Sequence, residues 1–108
     1  MAFFDFLRRA NINQGLEEYD GIPDALLLDV RTEQEYREGH IPGSKNVPLG
    51  SIDKVAEVAD NKRIPLYVYC RSGARSRQAA ALLEQMGYRK VRNLGGISSY
   101  MGKMARGA

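Results

Sequence analysis

The stretch DALLLDVRTEQE, residues 24–35, decides the fold. Its short, continuous apolar run is typical of a strand that is buried on both faces of a parallel sheet. Thr32 follows at once, with Glu35 three residues later, and this spacing predicts a capping box that opens a short helix. We expect that helix to end near Gly39, just before the turn-forming sequence HIPGS. A buried strand that leads directly into a helix indicates an α/β domain.

The same alternation continues along the chain. Strand patterns occur at about 26–30, 44–47, 66–69 and 91–93. A helix is expected to begin at Ser51, a candidate N-cap, and an amphipathic helix to run from about Arg75 or Ser76 to Gly87. A last helical segment is expected in the sequence ISSYMGKM. Alternating strands and helices predict a parallel sheet covered on both faces, which binds ligands beyond the carboxyl ends of its strands.

The length and composition fit one domain without disulfides. A chain of 108 residues is too short for two separate cores. We therefore assign residues 1–108 to one domain, with core motifs at about 24–101, a short extension at 1–10 and a tail at 102–108. The single cysteine, Cys70, has no partner for an internal disulfide, which favours a reducing, cytoplasmic setting.

The sequence also argues against two classes of partner. No apolar run approaches the ~20 residues that cross a bilayer, so no membrane partner is expected. The net charge of +3 is mild and does not indicate a nucleic acid partner. The start, MAFFDFLRRA, carries its positive charge after the apolar residues, which is atypical of a signal peptide. We expect Phe3, Phe4 and Leu7 to form a short amphipathic lid, with a docking surface as the alternative.

The stretch VYCRSGARS, residues 68–76, puts the cysteine beside positive charge. Residues 61–83 include basic side chains and no acidic ones, and Cys70 lies at the centre of this run, which favours an anion site over a solvated face. A loop that curls into a helix N-terminus points backbone N–H groups inward, and the helix dipole adds partial positive charge. Such surroundings lower the pKa of a thiol from about 8.5 to roughly 3.5–7.5. Cys70 is therefore predicted to be a thiolate and a nucleophile.

The loop after the cysteine supplies the other candidate site residues. This anion-binding loop comprises Arg71, Ser72, Gly73, Ala74, Arg75 and Ser76. Gly73 allows a tight backbone turn, and the two serines add hydroxyl donors. The alternative is a buried structural cysteine at a strand end, but a cysteine of that kind has apolar neighbours rather than a polar, basic loop.

Three ordered motifs carry a resemblance to a known family. The sequence LLDVRTEQEYREGHIPGSKNVPL, followed by VYCRSGARS and NLGGISSY, resembles a rhodanese domain, the sulfurtransferase fold. The resemblance covers residues 26–101. It departs from the family pattern at Tyr100, where tryptophan is frequent, and in residues 11–19, where the N-terminal strand of the family is less obvious.

The resemblance implies both a fold and an activity. It implies a parallel sheet of about five strands with helices on both faces, and a cysteine that carries sulfur as a persulfide. Cys70 would take sulfur from a small anionic donor, such as thiosulfate, or from a persulfide. It would pass that sulfur to cyanide, to a thiol or to a protein sulfur carrier, and no cofactor is implied.

The resemblance also assigns supporting roles to residues outside the loop. Asp29 and Arg31 would brace the rim of the site at the carboxyl end of their strand, with direct contact to the substrate as the alternative. The only histidine, His40, lies in GHIPG, which is a structural turn in the family. No metal is expected, because one cysteine and one histidine cannot fill a tetrahedral site.

Two other functions remain as alternatives. The first is a phosphatase or arsenate reductase of the same fold: cysteine phosphatases place an arginine six positions after the cysteine, where this chain has Ser76, and an arsenate reductase would also prefer a second, resolving cysteine, although an external thiol could serve. Arg75 comes one residue too early, and the shorter loop suits one sulfur better than a phosphate. A non-catalytic binding module is the second alternative, although inactive rhodanese domains usually lose the cysteine that this chain keeps.

Overall fold

The structure is a computed structural model that describes residues 11–107. The expected lid formed by Phe3, Phe4 and Leu7 lies outside the described residues. The elements in chain order are α1 (Ile12–Asp20), β1 (Leu26–Asp29), α2 (Glu33–Glu38), β2 (Lys45–Asn46), a 3₁₀ segment (Leu49–Glu57), β3 (Leu66–Cys70), α3 (Ala74–Gln85), β4 (Val91–Gly96) and a 3₁₀ turn (Ile97–Ser99).

The strands form a parallel sheet in the order β2-β1-β3-β4. Leu28 of β1 is in register with Lys45 and Val68 on the two neighbouring strands, and Val68 is in register with Asn93 of β4. The predicted α/β fold with a parallel sheet is confirmed. The expected number of strands is wrong, because residues 11–107 contain four strands rather than about five.

The stretch in which a fifth strand was expected forms helix α1 instead. The side chain of Asn11 caps the helix by accepting a hydrogen bond from the N–H of Asn13 at 3.0 Å. Ile12, Leu16 and Tyr19 repeat at helical spacing and pack on the sheet. A Cβ atom at Gly15 would overlap the side chain of Leu94, so a glycine is needed for α1 to approach β4 this closely.

Side-chain alternation along the strands divides the core into two layers. Tyr67 and Tyr69 of β3 point toward α1, whereas Val68 and Cys70 point toward the layer that contains α3 and the 3₁₀ segment. Both faces of the sheet are therefore covered. This period of two directs the sulfur of Cys70 toward the start of α3.

Other local predictions have mixed outcomes. The capping box of Thr32 and Glu35 is present at the start of α2. The predicted helix after Ser51 is present as 3₁₀ turns. Helical turns already begin at Leu49, and Ser51 is a non-helical residue between two of them, with φ −128°, while its N–H donates to the carbonyl oxygen of Pro48. Gly87 ends the helical region after α3 with φ +102°, as its sequence position predicts.

The last predicted helix is wrong beyond its first turn. Only Ile97–Ser99 is helical, and the chain then becomes extended. Ala105 forms an isolated antiparallel bridge with His40, with reciprocal backbone hydrogen bonds of 2.9 and 2.8 Å. These hydrogen bonds to a distant loop replace those of a helix. Among residues 11–107, no helix has the length and apolar character required to span a bilayer.

Candidate active site

Cys70 is the last residue of β3, and its sulfur lies under the first turn of α3. The residue is 1% exposed. Gly73 is the N-cap of α3 and has φ +107°, a conformation that favours glycine, and its N–H donates to the Cys70 Sγ at 3.0 Å. The thiol is 3.4 Å from the Oγ of Ser76, one turn further along. The loop thus wraps the sulfur with polar groups from its own backbone and from α3.

These contacts determine the acidity of the thiol. Burial by itself raises the pKa of Cys70, because it disfavours a charged sulfur. Hydrogen bonds from the Ser76 side chain and from the backbone amides of Ser76, Gly73 and Ser72 act in the opposite direction. The hydrogen bonds outweigh burial, so the pKa of Cys70 lies below its ordinary value. The largest contributions that favour the thiolate come from Ser76 and the backbone amides, and Arg75 interacts favourably with the same thiolate, whose charge raises the pKa of Arg75.

Two glycines at the end of β4 lie directly against the cysteine loop. A Cβ atom at Gly96 would overlap the carbonyl oxygen of Arg71 and lie 2.8 Å from the Cα of Ser72. The N–H of Ser98 donates to that same carbonyl oxygen at 3.2 Å, and the Ser76 hydroxyl donates to the carbonyls of Gly73 and Gly95. In the sequence, this glycine pair is visible only as part of the motif NLGGISSY. The structure gives the physical reason, which is close approach of two backbones.

Arg75 forms an ion pair that no local sequence pattern predicts. Its guanidinium donates two hydrogen bonds to the carboxylate of Glu35, at 2.7 and 3.0 Å. These hydrogen bonds are the largest cause of a pKa of about 2 at Glu35, against an ordinary value of 4.5; burial raises this pKa, and hydrogen bonds from Thr32 lower it further. Glu35 also belongs to the capping box of α2, so one carboxylate both caps a helix and holds an arginine of the cysteine loop. The capping motif predicts the contact of Glu35 with Thr32, but it does not predict the contact of Glu35 with Arg75.

Asp29 and Arg31 form a buried pair at the end of β1. The Arg31 guanidinium donates to both carboxylate oxygens of Asp29, at 3.0, 3.1 and 2.7 Å, and to the carbonyl oxygen of Gly39 at 2.6 Å. Asp29 is in register with Tyr69, the residue before the cysteine. The pair therefore lies at the same sheet edge as Cys70, and it joins β1 to the turn after α2.

His40 is held by local contacts in that turn. Its Nδ1 is 2.7 Å from the carbonyl oxygen of Tyr36, and its ring stacks on the Tyr36 ring at a centroid distance of 3.7 Å. Its backbone pairs with Ala105. Within residues 11–107, no cluster of three or more histidine, cysteine, aspartate or glutamate side chains could hold a metal ion.

A surface cavity of about 400 Å³ opens beside the loop. Its lining residues are Arg31, Glu35, Glu38, Gly39, Arg71, Ile97, Ser98 and Met104. Arg71 directly follows the cysteine and is exposed, whereas Cys70 itself is buried. The cavity thus brings Arg71 together with Arg31 of the rim. Arg75 lies next to this cavity through its ion pair with Glu35.

Known proteins resemble this chain in both sequence and structure. The sequence model of the Rhodanese-like domain family matches residues 12–103. The thiosulfate sulfurtransferase PspE of Escherichia coli is 37% identical over 71 residues, which cover 65% of this chain and 68% of PspE. A solved structure described as a rhodanese with anions from E. coli superposes with a TM-score of 0.72 at 32% identity, covering 77% of this chain and 99% of that one.

A third relative is longer than this chain. The Bacillus subtilis protein provisionally named sulfur carrier protein YrkF is 42% identical over 89 residues, which cover 81% of this chain but 47% of YrkF. The match thus spans about half the length of that relative. Since the family model spans most of the sequence and the fold agrees with it, this chain belongs to the Rhodanese-like domain family, whose relatives include sulfurtransferases.

Proposed function

We propose that this protein is a sulfurtransferase that carries sulfane sulfur on Cys70 as a persulfide. The observation that carries this proposal is the hydrogen bonding of the Cys70 sulfur at the start of α3, where it accepts from the Gly73 N–H and, as a thiol, donates to the Ser76 hydroxyl oxygen. An anionic sulfur is required twice, first as the attacking thiolate and then as the terminal sulfur of the persulfide. A set of backbone donors at a helix N-terminus stabilises both.

We expect the reaction with thiosulfate to proceed in two steps. The Cys70 thiolate forms a bond to the outer sulfur of thiosulfate, and the sulfur–sulfur bond of the donor breaks. Its electron pair leaves with sulfite, and the protein retains a persulfide. In the second step cyanide or a thiolate attacks the outer sulfur, and the Cys70 thiolate is regenerated. Backbone N–H groups that already point at the sulfur need no rearrangement as the charge develops.

The basic loop and the rim have separate roles in this proposal. Arg71 is exposed and lines the cavity, so it would attract an anionic donor. The charge of Arg75 is balanced by Glu35, so its main role would be to hold the loop in place. Asp29 and Arg31 would brace the rim through their contact with Gly39.

Partners and location are proposed on the same basis. A protein sulfur carrier is a candidate partner, because one relative is named for that role. A reducing compartment such as the cytoplasm would suit a protein whose free thiol must stay reduced.

Phosphate chemistry is a weaker candidate for this loop. The position six residues after the cysteine holds Ser76, which is fully buried and hydrogen-bonded beneath the sulfur. An arginine side chain there would have no room to clamp a phosphate. The neighbouring Arg75 is engaged by Glu35 instead. A residual phosphatase activity would therefore be negligible beside sulfur transfer.

The test is turnover of thiosulfate and cyanide to sulfite and thiocyanate. The wild-type protein should form thiocyanate. Cys70→Ser should form none, because serine stays protonated at neutral pH, and it should retain its fold. Arg77→Ala is the matched control, since Arg77 is an exposed residue of the same helix and should leave turnover almost unchanged. Absence of turnover with thiosulfate and with persulfide donors would favour a binding module. Hydrolysis of an aryl phosphate would favour a phosphatase.

A further inference from the structure

Strand β4 contains a β-bulge just before it reaches the cysteine loop. Val68 of β3 is in register with Asn93 of β4. The next residue along β3, Tyr69, is in register with Gly95, so Leu94 is an extra residue in β4. Leu94 is buried in the core layer that includes α1, and Gly95 has φ +95°, a conformation that favours glycine. The bulge therefore keeps a leucine in the core while the strand ends in two glycines.

The side chain of Asn93 holds this bulge. Its Oδ1 accepts a hydrogen bond from the N–H of Gly95 at 2.9 Å. Asparagine side chains stabilise turns through this contact with the backbone two residues further on. The backbone position of Gly95 therefore depends on the Asn93 side chain as well as on the pairing of β4 with β3.

Gly95 in turn contacts the first turn of α3. Its carbonyl oxygen is 3.4 Å from the Ser76 Oγ, and the carbonyl oxygen of Gly73 is 3.1 Å from the same atom. A Cβ atom on Gly73 would lie 3.5 Å from the Gly95 Cα, so the two backbones are packed together. The Ser76 Oγ is also 3.4 Å from the Cys70 sulfur. Two carbonyl groups thus fix the Ser76 oxygen beside the sulfur, and its proton needs only to rotate to meet a thiolate.

We infer that Asn93 is a positioning residue for the Cys70 thiolate, because it holds Gly95 in the place from which Gly95 fixes the Ser76 hydroxyl beside the sulfur. This role rests on the proposed function, which it extends to a side chain that acts through its neighbours. Without the Asn93 acceptor, the bulge relaxes and the Gly95 carbonyl moves away from Ser76. The hydroxyl is then less well aligned with the anionic sulfur, and the pKa of the thiol rises.

The test measures the pH dependence of iodoacetamide alkylation of Cys70 in variants at position 93. In Asn93→Ala the midpoint should rise by about half a pH unit, because a misaligned hydrogen bond stabilises the charged sulfur less. Asn93→Asp keeps the acceptor oxygen and should retain the wild-type midpoint. Asn93→Ser should give an intermediate shift, because serine makes this contact more weakly. Below the midpoint, kcat/KM for thiosulfate should fall about threefold in Asn93→Ala, together with the fraction of thiolate.

Asn61→Ala is the matched control. The Oδ1 of Asn61 accepts a hydrogen bond from the N–H of Arg63 at 2.9 Å, which is the same kind of contact with the backbone two residues on. Asn61 precedes β3, however, whereas Cys70 is the last residue of that strand. The charge of Arg75 also acts on the Cys70 thiolate, but Arg75 is held by Glu35 rather than by β4. Asn61→Ala should therefore leave the midpoint unchanged.

A double-mutant cycle tests the route through Ser76. Asn93→Ala should cause no further shift when it is introduced into Ser76→Ala, because the hydroxyl that Asn93 positions is already absent. Equal shifts in the two backgrounds would mean that Asn93 acts on the fold as a whole, and they would overturn the inference. If Asn93→Ala fails to fold, the cycle is made with Asn93→Ser.

Four other results would also overturn the role of Asn93. They are an unchanged or lowered midpoint in Asn93→Ala, a similar rise in Asn93→Asp, a similar rise in Asn61→Ala, and a wild-type midpoint in Ser76→Ala. Alkylation needs no sulfur donor, so this series decides the role of Asn93 by itself. A wild-type protein that takes no sulfur from thiosulfate or from persulfide donors would contradict the proposed function instead.

Discussion

Replacement of Glu35 by glutamine tests how the cysteine loop is held to the rest of the fold. The carboxylate of Glu35 accepts two hydrogen bonds from Arg75 and also caps helix α2 through Thr32. The hydrogen bonds from Arg75, together with those from Thr32 and against the effect of burial, lower the pKa of Glu35 from 4.5 to about 2. Glutamine keeps the size of the side chain and its hydrogen-bond acceptor but removes the charge.

The expected loss of stability follows from this pKa. One pKa unit corresponds to about 1.4 kcal/mol, so before solvent screening the shift corresponds to about 3 kcal/mol at neutral pH for all the contacts of the Glu35 carboxylate, those with Arg75 and Thr32 together. The side chains of Glu35 and Arg75 are 25% and 35% exposed, and solvent screens a pair of this kind. We therefore expect Glu35→Gln to lower the free energy of unfolding by about 1–2 kcal/mol at neutral pH.

The pH dependence of that loss has a definite sign. The pKa of Glu35 is lower in the folded protein than in the unfolded chain, so the stabilisation is complete above 4.5 and is lost as the pH falls toward about 2. Urea unfolding of wild type and variant, measured at intervals from neutral pH downward, should give curves whose difference is roughly halved near pH 3.

The matched control for this prediction is Glu33→Gln. Glu33 lies in the first turn of the same helix, but it is 69% exposed and pairs with Arg37, which is 61% exposed. Its replacement should change stability by less than about 0.5 kcal/mol. The claim that the ion pair of Glu35 and Arg75 holds the loop would be refuted by equal losses of unfolding free energy in the two variants. It would also be refuted by a loss in Glu35→Gln that stays constant with pH.

Three further predictions concern the cysteine loop. Ser76→Ala should raise the pKa of the Cys70 thiol, because it removes a hydrogen bond to the sulfur, and the midpoint of the pH dependence of iodoacetamide alkylation should move upward; an unmoved midpoint would mean that the backbone amides suffice. Arg71→Ala should lower kcat/KM for thiosulfate about tenfold and should also weaken the dependence of kcat/KM on salt. Arg75→Ala should have a smaller effect, because Glu35 balances the charge of Arg75. Equal losses in the two variants would give both arginines the same role. Gly96→Ala should lower sulfur loading about a hundredfold, since its Cβ would displace the loop backbone, whereas Gly50→Ala, which has open space, should have little effect.

Features set by neighbours along the chain were accessible from the sequence. The capping box of Thr32 and Glu35 depends on residues three apart, and it is present as predicted. The continuous apolar runs before Asp29 and Cys70 are buried strands, because only a parallel sheet covered on both faces accepts such runs. The short spacing between Cys70 and Gly73 also places a backbone amide at the sulfur.

Features that depend on contacts between residues far apart in the chain could not be predicted from the sequence. The partner of Arg75 is 40 positions away, and no local pattern connects the two. Ser51 has a residue type suited to an N-cap, but it lies inside a tight turn that begins at Pro48. The bridge between His40 and Ala105 overrides the helical pattern of the last segment. Tertiary contacts decide in each of these cases, because they outweigh local propensities of a few tenths of a kcal/mol or about 1 kcal/mol per residue.

The central claim is that sulfur resides covalently on Cys70, and intact-protein mass measurement tests it most directly. After incubation with thiosulfate and removal of excess donor, the wild-type protein should gain the mass of one sulfur atom, and addition of cyanide should restore the original mass with release of thiocyanate. Cys70→Ser, treated in parallel, should show no gain. An unchanged wild-type mass with thiosulfate and with persulfide donors, or a cyanide-labile gain that persists in Cys70→Ser, would contradict the account.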